Sequence, residues 1–322
     1  MAEVVRIASP GGPQQLQQAT VELPAPGAGE IRLRQTAIGV NFIDVYHRRG
    51  LYPLPGGIPG VEAVGVVTAV GDDVVDLKPG DRVAYAGAPV GAYVSERNLP
   101  AWRAVALPAD LGDAAVASTF MKGITAHMLL TRVFAVGPGV TVLIHSAAGG
   151  LGQLMVRWAS HLGATVIATV GSEQKAAIAR NAGAHHVIVG RDADFAGAVA
   201  ALTEARGVDV AYDGVGGATL AKTMACVRPF GLVASLGDSG GAIPLIDIND
   251  IGPRRSLSLA RPSVMAHMQN ADAYRRSADA VLAAMAQGIL QPAGQAYRLS
   301  DAHVAHTDLE AGRTSGSLYL VP

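Results

Sequence analysis

A chain of 322 residues is too long for one small core, and 50% hydrophobic against 16% charged residues allow a large buried interior, so we expect two domains. The net charge is −1 and no long run of lysine and arginine occurs, which argues against nucleic acid as a partner. A single cysteine, Cys226, excludes an internal disulfide and a cysteine-rich zinc site. No signal-peptide pattern opens the chain and no stretch approaches roughly 18 uninterrupted apolar residues, so we expect a cytoplasmic protein without a membrane span.

The first third of the chain has the composition of β-structure. Residues 29–41 and 61–71 are strand-like runs rich in valine and isoleucine. Residues 77–87 place a Pro-Gly turn before another short strand. Between the first two runs, residues 50–60 hold four glycines and three prolines, which predicts a loop.

The sequence pattern changes at about residue 123, where short apolar runs begin to alternate with segments of helical composition. The six runs are residues 140–146, 164–171, 185–190, 208–214, 231–237 and 256–262. The first four are each followed by a helical segment. This alternation predicts an α/β domain with a doubly wound parallel sheet.

The last part of the chain returns to mixed structure. Residues 273–290 have helical composition, and residues 295–312 predict a strand followed by a helix. His303 and His306 are spaced three apart on that helix, but no third metal ligand is evident. We therefore expect a surface helix there and not a metal site.

A turn of small residues separates the first strand of the alternating half from its helix. It contains Ala147, Ala148, Gly149, Gly150 and Gly152. Glycines let the backbone turn tightly and approach a pyrophosphate, and the free N–H groups and dipole at a helix N-terminus favour an anion. The turn therefore predicts a dinucleotide site, although alanine stands in place of the first glycine of the standard fingerprint.

The end of the second strand indicates which dinucleotide binds. NAD-binding folds place an acidic residue there to hold the ribose 2′-hydroxyl. Here the strand ends in Gly171 and Ser172, neither of them acidic, and Lys175 follows one turn into the next helix. Glu173 lies close in sequence, but we expect it to point to solvent. A serine and a lysine suit a 2′-phosphate, so the sequence predicts NADPH.

Together with other motifs, these residues resemble a known family. The chain is similar to the zinc-independent quinone oxidoreductases, the zeta-crystallin-like branch of the medium-chain dehydrogenase/reductase superfamily. The likeness covers essentially the whole chain. It rests on GVNFIDVYHRRGLYP (39–53), PGVEAVGVVTAVG (59–71), KPGDRV (78–83), MKGITA (121–126), AAGGLG (147–152), GSEQK (171–175), YDGVGG (212–217), ARPS (260–263) and GRTSGSLYL (312–320).

The resemblance implies a split architecture. Residues 1–122 and 263–322 would form a GroES-like, β-barrel-containing catalytic domain, and residues 123–262 a Rossmann cofactor domain. It also implies a homodimer built through the cofactor domains, with residues 256–260 as the sheet edge that pairs across the two-fold axis.

The resemblance further implies chemistry without a metal. Zinc-dependent relatives carry a cysteine where this chain has Asn41, and a Gly-His-Glu motif where it has Gly60-Val61-Glu62. An amide and a valine cannot replace a thiolate and an imidazole as zinc ligands. A quinone needs no metal, because it is already a good hydride acceptor once it is oriented next to the cofactor.

By resemblance, Asn41, Tyr46 and Tyr52 line the acceptor pocket beside the nicotinamide and can donate hydrogen bonds to the acceptor. The implied cofactor-binding positions are Thr125, Ala148, Gly149, Gly150, Leu151, Gly152, Gly171, Ser172, Lys175, Arg191, Gly237, Asp238 and Arg313. The chain departs from the family pattern at two places. Gly190 stands where many relatives carry a tyrosine near the 2′-phosphate, and Arg191, which follows it, could supply charge there instead. Asp238 stands where relatives often carry asparagine.

Three functions remain open from the sequence. The first is an NADPH-dependent reductase that transfers a hydride, or electrons, to a quinone. The second is reduction of an activated C=C bond in an enal or enone, since both substrates are conjugated acceptors. The third is RNA binding or a bulk structural role, as in some zeta-crystallin-like proteins, which the near-neutral charge disfavours.

Overall fold

The computed structural model describes residues 1–253 and 255–322. Its strands, in chain order, are β1 (Ala2–Ile7), β2 (Leu16–Val21), β3 (Glu30–Val40), β4 (Glu62–Val70), β5 (Arg82–Ala86), β6 (Glu96–Pro100), β7 (Val105–Ala106), β8 (Thr141–Ile144), β9 (Thr165–Val170), β10 (His186–Val189), β11 (Val208–Asp213), β12 (Val227–Ser235), β13 (Ser258–Ala260), β14 (Gly294–Arg298) and β15 (Ser317–Val321).

The α-helices are α1 (Phe42–Arg48), α2 (Asp113–His127), α3 (Gly150–His161), α4 (Glu173–Asn181), α5 (Phe195–Leu202), α6 (Ala218–Cys226), α7 (Ile248–Ile251), α8 (Val264–His267), α9 (Ala271–Ala286) and α10 (Ala302–Glu310). Single 3₁₀ turns cover Pro13–Gln15, Ala101–Arg103 and Leu299–Asp301, and a π-helical segment, Met128–Val133, follows α2.

The described chain divides into two compact units. One combines Met1–Ile124 with Met265–Pro322, and the other is the continuous segment Thr125–Val264. We call them the split unit and the continuous unit. The boundaries predicted from the sequence fall after residues 122 and 262, two residues before those of the structure, which fall after residues 124 and 264.

The continuous unit is built on a parallel six-stranded sheet in the order β10-β9-β8-β11-β12-β13. Counted within the sheet, this is the order 3-2-1-4-5-6 of the Rossmann fold. The strands are apolar because helices cover both faces of such a sheet, and all six residues of β11 are buried. Each predicted apolar run overlaps one of these strands, and the predicted doubly wound α/β sheet is confirmed.

The split unit contains a seven-stranded sheet. Its strands run in the order β14-β15-β3-β4-β5-β7, with β6 also paired to β3. All pairs are antiparallel except β14 with β15. The eleven-residue β3 lies at the centre, and its Ile31, Leu33 and Ile38 are fully buried in the core of this unit. A separate two-stranded sheet pairs β1 with β2.

Helix α10 differs from its prediction. His303 is exposed as expected, but His306 is fully buried, and its Nε2 lies 2.9 Å from the hydroxyl of Tyr93. Ala302 and Ala305 are buried beside it, because this face of the helix packs on the core of the split unit. The expectation of a surface helix was therefore wrong for His306.

Within the described ranges, we find no helix that is both long enough and apolar enough to cross a bilayer.

Candidate functional site

The turn between β8 and α3 has the geometry of an anion cradle. Ser146 adopts a left-handed backbone conformation (φ 53°) at the start of the turn. Helix α3 begins at Gly150, and its N-cap is Gly149, which has no side chain to cap the helix. The first-turn N–H groups of an α-helix have no acceptor within the helix. This end of α3 therefore offers backbone donors to an external anion.

Gly152 lets the helix approach the strand. A Cβ at this position would contact the carbonyl oxygen of Ser146 and would lie 2.8 Å from the Cα of Ala147, closer than real Cβ atoms come. Both contacts are to backbone, which cannot rotate away. Ala147 and Ala148 are buried beneath the turn. The residues present thus fit a dinucleotide pyrophosphate, as the strand–turn–helix context predicts.

Residues with basic and hydroxyl side chains lie at the end of β9. Ser172 is the N-cap of α4, and its Oγ accepts a hydrogen bond from the N–H of Lys175 at 3.4 Å. Arg191 lies beside the strand end, because a Cβ on Gly171 would be 3.5 Å from the Cγ of Arg191 and 3.6 Å from its Nε. The structure therefore brings Gly171, Ser172, Lys175 and Arg191 to one place.

The carboxylate next in sequence is turned outward. The side chain of Glu173 is 77% exposed and lies 3.8 Å from the guanidinium of Arg180, further along α4. A carboxylate in that position does not offer the ribose contact that NAD-binding folds use.

The ends of β11 and β12 lie together in the same unit. Asp213 is buried, and its Oδ1 accepts hydrogen bonds from the N–H groups of Val215 and Gly216. A Cβ on Gly216 would be 2.7 Å from the carbonyl oxygen of Gly237 and 2.8 Å from the Cα of Asp238. The loop that begins with Gly237 and Asp238 therefore packs directly on the loop after β11.

A buried histidine connects the ends of β8, β9 and β11 through hydrogen bonds. His145 lies just after β8, with Nδ1 2.8 Å from the hydroxyl of Thr169 and Nε2 2.9 Å from that of Thr223. Thr223 in turn donates to Oδ2 of Asp213 at 2.8 Å. Since the Thr223 proton goes to the carboxylate, Nε2 of His145 is the donor to Thr223. Burial lowers the pKa of His145, so the ring is neutral and uses both nitrogens.

The acceptor residues predicted from the sequence lie around α1 in the split unit. Asn41 is the N-cap of α1 and is 9% exposed, while Tyr46 lies on the helix. Tyr52 follows in the loop and is 43% exposed. The rings of Tyr46 and Tyr52 meet edge to face, with centroids 5.7 Å apart and planes at 88°. The structure thus places an amide and two phenols in one short segment.

Asn41 is held by two buried carboxyl groups. Its Nδ2 donates to Oε1 of Glu62 at 2.8 Å, and its backbone N–H donates to Oδ2 of Asp44 at 2.9 Å. Oε2 of Glu62 accepts the N–H of Met121 at 2.8 Å, and the ammonium of Lys122 lies 3.7 Å from Oε1. Burial raises the pKa of Glu62, and the charge of Lys122 and these hydrogen bonds oppose that rise.

A second set of buried polar groups adjoins Asp44. The hydroxyl of Tyr93 lies 3.3 Å from Oδ2 of Asp44 and 2.9 Å from Nε2 of His306. Burial raises the pKa of Asp44 to about 7 and lowers that of His306 to about 3. The sequence analysis missed both this set and the one around Glu62 and Lys122. The available signal was an acidic or basic residue inside an apolar run, as in VEAVGVV (61–67) and STFMKGITA (118–126).

Two predicted cofactor residues lie outside these groups. Thr125 is in the last turn of α2, where the continuous unit begins. Arg313 belongs to the split unit, is 58% exposed, and donates to Oδ1 of Asp308 from Nε at 3.0 Å and from Nη2 at 2.6 Å. The structure does not bring Arg313 together with the glycine turn within one unit.

Comparison with known proteins gives matches over both units. Residues 27–109 match the family described as "Alcohol dehydrogenase GroES-like domain", and residues 150–282 match the one described as "Zinc-binding dehydrogenase". The first match confirms the predicted GroES-like fold for that part of the split unit.

Individual relatives match over the full length. The "2-haloacrylate reductase" of Burkholderia sp is 42% identical over 97% of this chain and 96% of its own. The "Quinone oxidoreductase 1" of Escherichia coli (strain K12) is 38% identical over 100% of both chains. The structure of Escherichia coli quinone oxidoreductase complexed with NADPH superposes with a TM-score of 0.95 at 36% identity, covering 99% of this chain and 100% of the other.

The residues of this chain do not fit the metal that the second family's description names. Within residues 1–253 and 255–322, no group of three His, Cys, Asp or Glu side chains could hold a metal ion. Glu62 is engaged by Asn41, Met121 and Lys122. Cys226 is buried in the continuous unit, and burial raises the pKa of its thiol to about 12, which disfavours the thiolate that zinc requires.

Proposed function

Because the chain belongs to the quinone oxidoreductase family of the medium-chain dehydrogenase/reductase superfamily, we propose that it is an NADPH-dependent quinone reductase. NADPH supplies a hydride, and the quinone takes this hydride together with one proton to become a hydroquinone. The observation that carries the proposal is the grouping of Ser172, Lys175 and Arg191 at the end of β9, in the unit that also holds the glycine turn.

In this proposal the continuous unit binds the cofactor. The first-turn N–H groups of α3, from Gly150, Leu151 and Gly152, hold the pyrophosphate. Ser172, Lys175 and Arg191 hold the 2′-phosphate through charge-assisted hydrogen bonds. The remaining cofactor contacts that we propose come from Thr125, Ala148, Gly149, Gly171, Gly237, Asp238 and Arg313.

The split unit binds the acceptor. Asn41, Tyr46 and Tyr52 orient the quinone and donate hydrogen bonds to its oxygens, where negative charge develops during reduction. The edge-to-face pair of Tyr46 and Tyr52 offers apolar ring surface to a planar substrate. No metal takes part, since the donor set around Asn41 and Glu62 does not suit one.

A second candidate substrate class has its own support. The relative at 42% identity is named a 2-haloacrylate reductase. A 2-haloacrylate contains an activated C=C bond. Reduction of such a bond places hydride on the β-carbon and a proton on the α-carbon. The same amide and phenols could stabilise the negative charge that develops on the conjugated carbonyl.

A substrate panel tests both functions. NADPH and NADH are each titrated into the protein, and loss of reduced-cofactor absorbance is then followed with benzoquinone, naphthoquinone, a cyclic enone and 2-chloroacrylate. We expect NADPH to bind more tightly than NADH, and the quinones to give the highest kcat/KM with hydroquinone as the product. Turnover confined to 2-chloroacrylate, with a saturated product, would establish the second candidate instead. Oxidation of NADPH by no member of the panel would refute both.

We propose further that the protein is a cytoplasmic homodimer. Strand β13 is at the edge of the six-stranded sheet and pairs only with β12 among the described strands. Such an edge can pair with the same strand of a second copy. Sedimentation equilibrium should give twice the mass of the chain. A monomeric mass at micromolar concentration would contradict the proposal, and cell fractionation tests the location.

A further inference from the structure

Lys122 is a buried cation that the proposed roles do not use. It lies on α2, in the motif that was singled out for Thr125, and its side chain is only 12% exposed. Its ammonium donates to the carbonyl oxygen of Val40 at 3.1 Å and lies 3.7 Å from Oε1 of Glu62. Burying a lysine costs free energy, because burial disfavours its charged form. Lys122 therefore lies beside the carboxylate that accepts a hydrogen bond from Asn41.

Glu62 is clamped in position by its surroundings. Its Oε2 accepts the N–H of Met121 at 2.8 Å, and its Oε1 accepts Nδ2 of Asn41 at 2.8 Å. Gly39 on β3 leaves the space that the carboxylate fills, because a Cβ there would collide with Oε1 and Cδ of Glu62. The carboxylate therefore cannot turn to follow Asn41, and Asn41 must orient to suit the carboxylate.

The orientation of the Asn41 amide depends on the charge of Glu62. An ionised carboxylate only accepts hydrogen bonds, so it selects the N–H edge of the amide. A protonated Glu62 can donate, and it then accepts an amide rotated to present Oδ1. The rotated amide would offer an acceptor where an N–H donor stood before.

The charges around Glu62 show which group favours its ionised form. The titratable groups that act on it are Lys122, Asp44, Tyr85, Tyr93 and Tyr274. Burial raises the pKa of all three tyrosines, so they stay neutral. Asp44 adds negative charge when it is ionised, which opposes ionisation of Glu62. Lys122 is the member of this set that carries a positive charge, and its charge favours the ionised form of Glu62.

We propose that Lys122 is a positioning residue for the acceptor site: its ammonium keeps Glu62 a carboxylate, and this carboxylate holds the Asn41 amide with its N–H edge fixed as a donor. One N–H of Asn41 Nδ2 donates to Glu62. The same contact fixes the direction of the second N–H, which is the donor offered to the acceptor. The inference rests on the proposed role of Asn41 in binding the acceptor. It assigns Lys122 and Glu62 a task that acts through Asn41 and needs no contact of their own with the substrate.

Three variants separate this role from a structural one. Lys122→Met removes the charge and keeps the chain length. Lys122→Arg keeps the charge. The double variant Lys122→Met/Glu62→Gln removes both charges and cannot be protonated. Because the fixed N–H of Met121 takes its one carbonyl oxygen, its NH2 faces Asn41 and should hold that amide rotated at every pH. Arg82→Met, which breaks the ion pair with Asp113 in the same unit, is the control for loss of a cation elsewhere.

The first readout is the pH profile of kcat/KM for a quinone. In Lys122→Met, Glu62 binds a proton as the pH is lowered, so kcat/KM should fall towards acid pH by about 10- to 100-fold relative to the parent, the scale of losing one hydrogen-bond donor to the acceptor. It should recover at alkaline pH. Lys122→Arg and Arg82→Met should keep the parental profile, the double variant should have a low kcat/KM at every pH, and the KM for NADPH should stay unchanged in all four.

The second readout needs no turnover. Infrared spectroscopy over the same pH range reports the carbonyl stretch of protonated carboxyl groups. The parent should show the band of Asp44 below about pH 7, and Lys122→Met should add a second band that is absent from the double variant. If the parent reduces no quinone but this band is present, the proposed function fails while the electrostatic role of Lys122 stands.

The proposal is overturned if Lys122→Met lowers kcat/KM equally at every pH, since Lys122 would then act directly or only in packing. It is also overturned if no second carboxyl band appears. Should Lys122→Met fail to fold, the other two variants decide the question: the proposal expects a low kcat/KM at every pH in the double variant and the parental profile in Lys122→Arg. Parental kcat/KM in the double variant would overturn the proposal, because rotation of the Asn41 amide would then have no effect.

Discussion

Single side chains decide cofactor choice at the end of β9. Lys175 lies one turn into α4, beside Ser172 and near the strand end that Arg191 flanks. Lys175→Ala should weaken NADPH binding by about 1–2 kcal/mol, the range of a charge-assisted hydrogen bond, and leave NADH binding nearly unchanged. Fluorescence titration measures both. Lys222→Ala, which removes an equal charge from the exposed surface of α6, is the control and should bind both cofactors as the parent does. Equal parental affinities for NADPH and NADH would contradict the assignment.

The hydroxyl of Tyr52 is the next residue whose role can be measured. Tyr52→Phe removes a donor but keeps the ring that meets Tyr46 edge to face. Loss of one donor to the acceptor should lower kcat/KM for a small quinone by about 1–3 kcal/mol in transition-state stabilisation. NADPH affinity should not change. Tyr46→Ala should do more harm, through lost packing as well as lost polarity. If Tyr52→Phe and Tyr46→Ala both keep the parental kcat/KM, the two tyrosines only pack the loop.

Asp44 makes the stability of the split unit depend on pH. Its pKa in the folded chain is about 7, well above the value near 4 of an unfolded chain. A raised pKa gives a stability contribution that is complete below about pH 4 and is lost as the pH rises towards about 7. Asp44→Asn removes this titration. Its unfolding free energy should therefore fall less steeply with pH over that range, by up to about 1.4 kcal/mol per pH unit.

Urea unfolding at a series of pH values measures that slope. Asp192→Asn, at an exposed position, is the control and should keep the parental slope. A parental slope in Asp44→Asn as well would show that Asp44 stays ionised in the folded protein.

At the scale of elements, the packing of α3 on β8 depends on a missing side chain. A Cβ at Gly152 would press on the backbone at Ser146 and Ala147, which cannot move without disturbing the turn. Gly152→Ala should lower the unfolding free energy by about 1–3 kcal/mol, the usual cost of overpacking, and weaken NADPH binding. Gly137→Ala is the control, since a Cβ there meets no atom within 4 Å. Denaturant unfolding compares the two, and equal stabilities would refute the close approach.

The elements themselves were largely predictable, because each is encoded locally. The six runs of the parallel sheet are apolar over their own length, since strands buried on both faces cannot alternate. The glycine turn was recognisable for the same reason, as strand, small residues and helix are adjacent in sequence. Helix α10 shows where local patterns fail. Its two histidines look alike in sequence, and only the packing of one face distinguishes His306 from His303.

The polar network around Asn41 could not be predicted from local pattern. Asn41 and Glu62 are 21 residues apart, and Lys122 and Val40 are 82 apart. Tyr93 and His306 are separated by 213 residues. These pairs exist only because β3, β4, α2 and α10 come together in the folded unit. A charged residue within an apolar run indicates that a partner must exist, but does not say which residue it is.

At the scale of the whole molecule, two units carry separate sheets and separate cores. The residues that we propose to hold the phosphates of NADPH all lie in the continuous unit, Thr125–Val264. A ligand that binds only the folded state stabilises it by mass action, by about 2.7 kcal/mol at a hundredfold excess over its Kd. NADPH should therefore raise the melting temperature, and NADH at the same concentration should raise it less.

Hydrogen exchange shows where that stabilisation acts. With NADPH bound, amide exchange should slow most in the first turn of α3 and at the start of α4, because these N–H groups are the proposed phosphate donors. In Lys175→Ala the protection at α4 should shrink while that at α3 remains, since the pyrophosphate contact is untouched. Lys222→Ala should reproduce the parent at both helices. If NADH and NADPH stabilise the protein equally, or if neither helix is protected, the continuous unit does not select the 2′-phosphate, and the cofactor assignment made from Gly171, Ser172 and Lys175 is wrong.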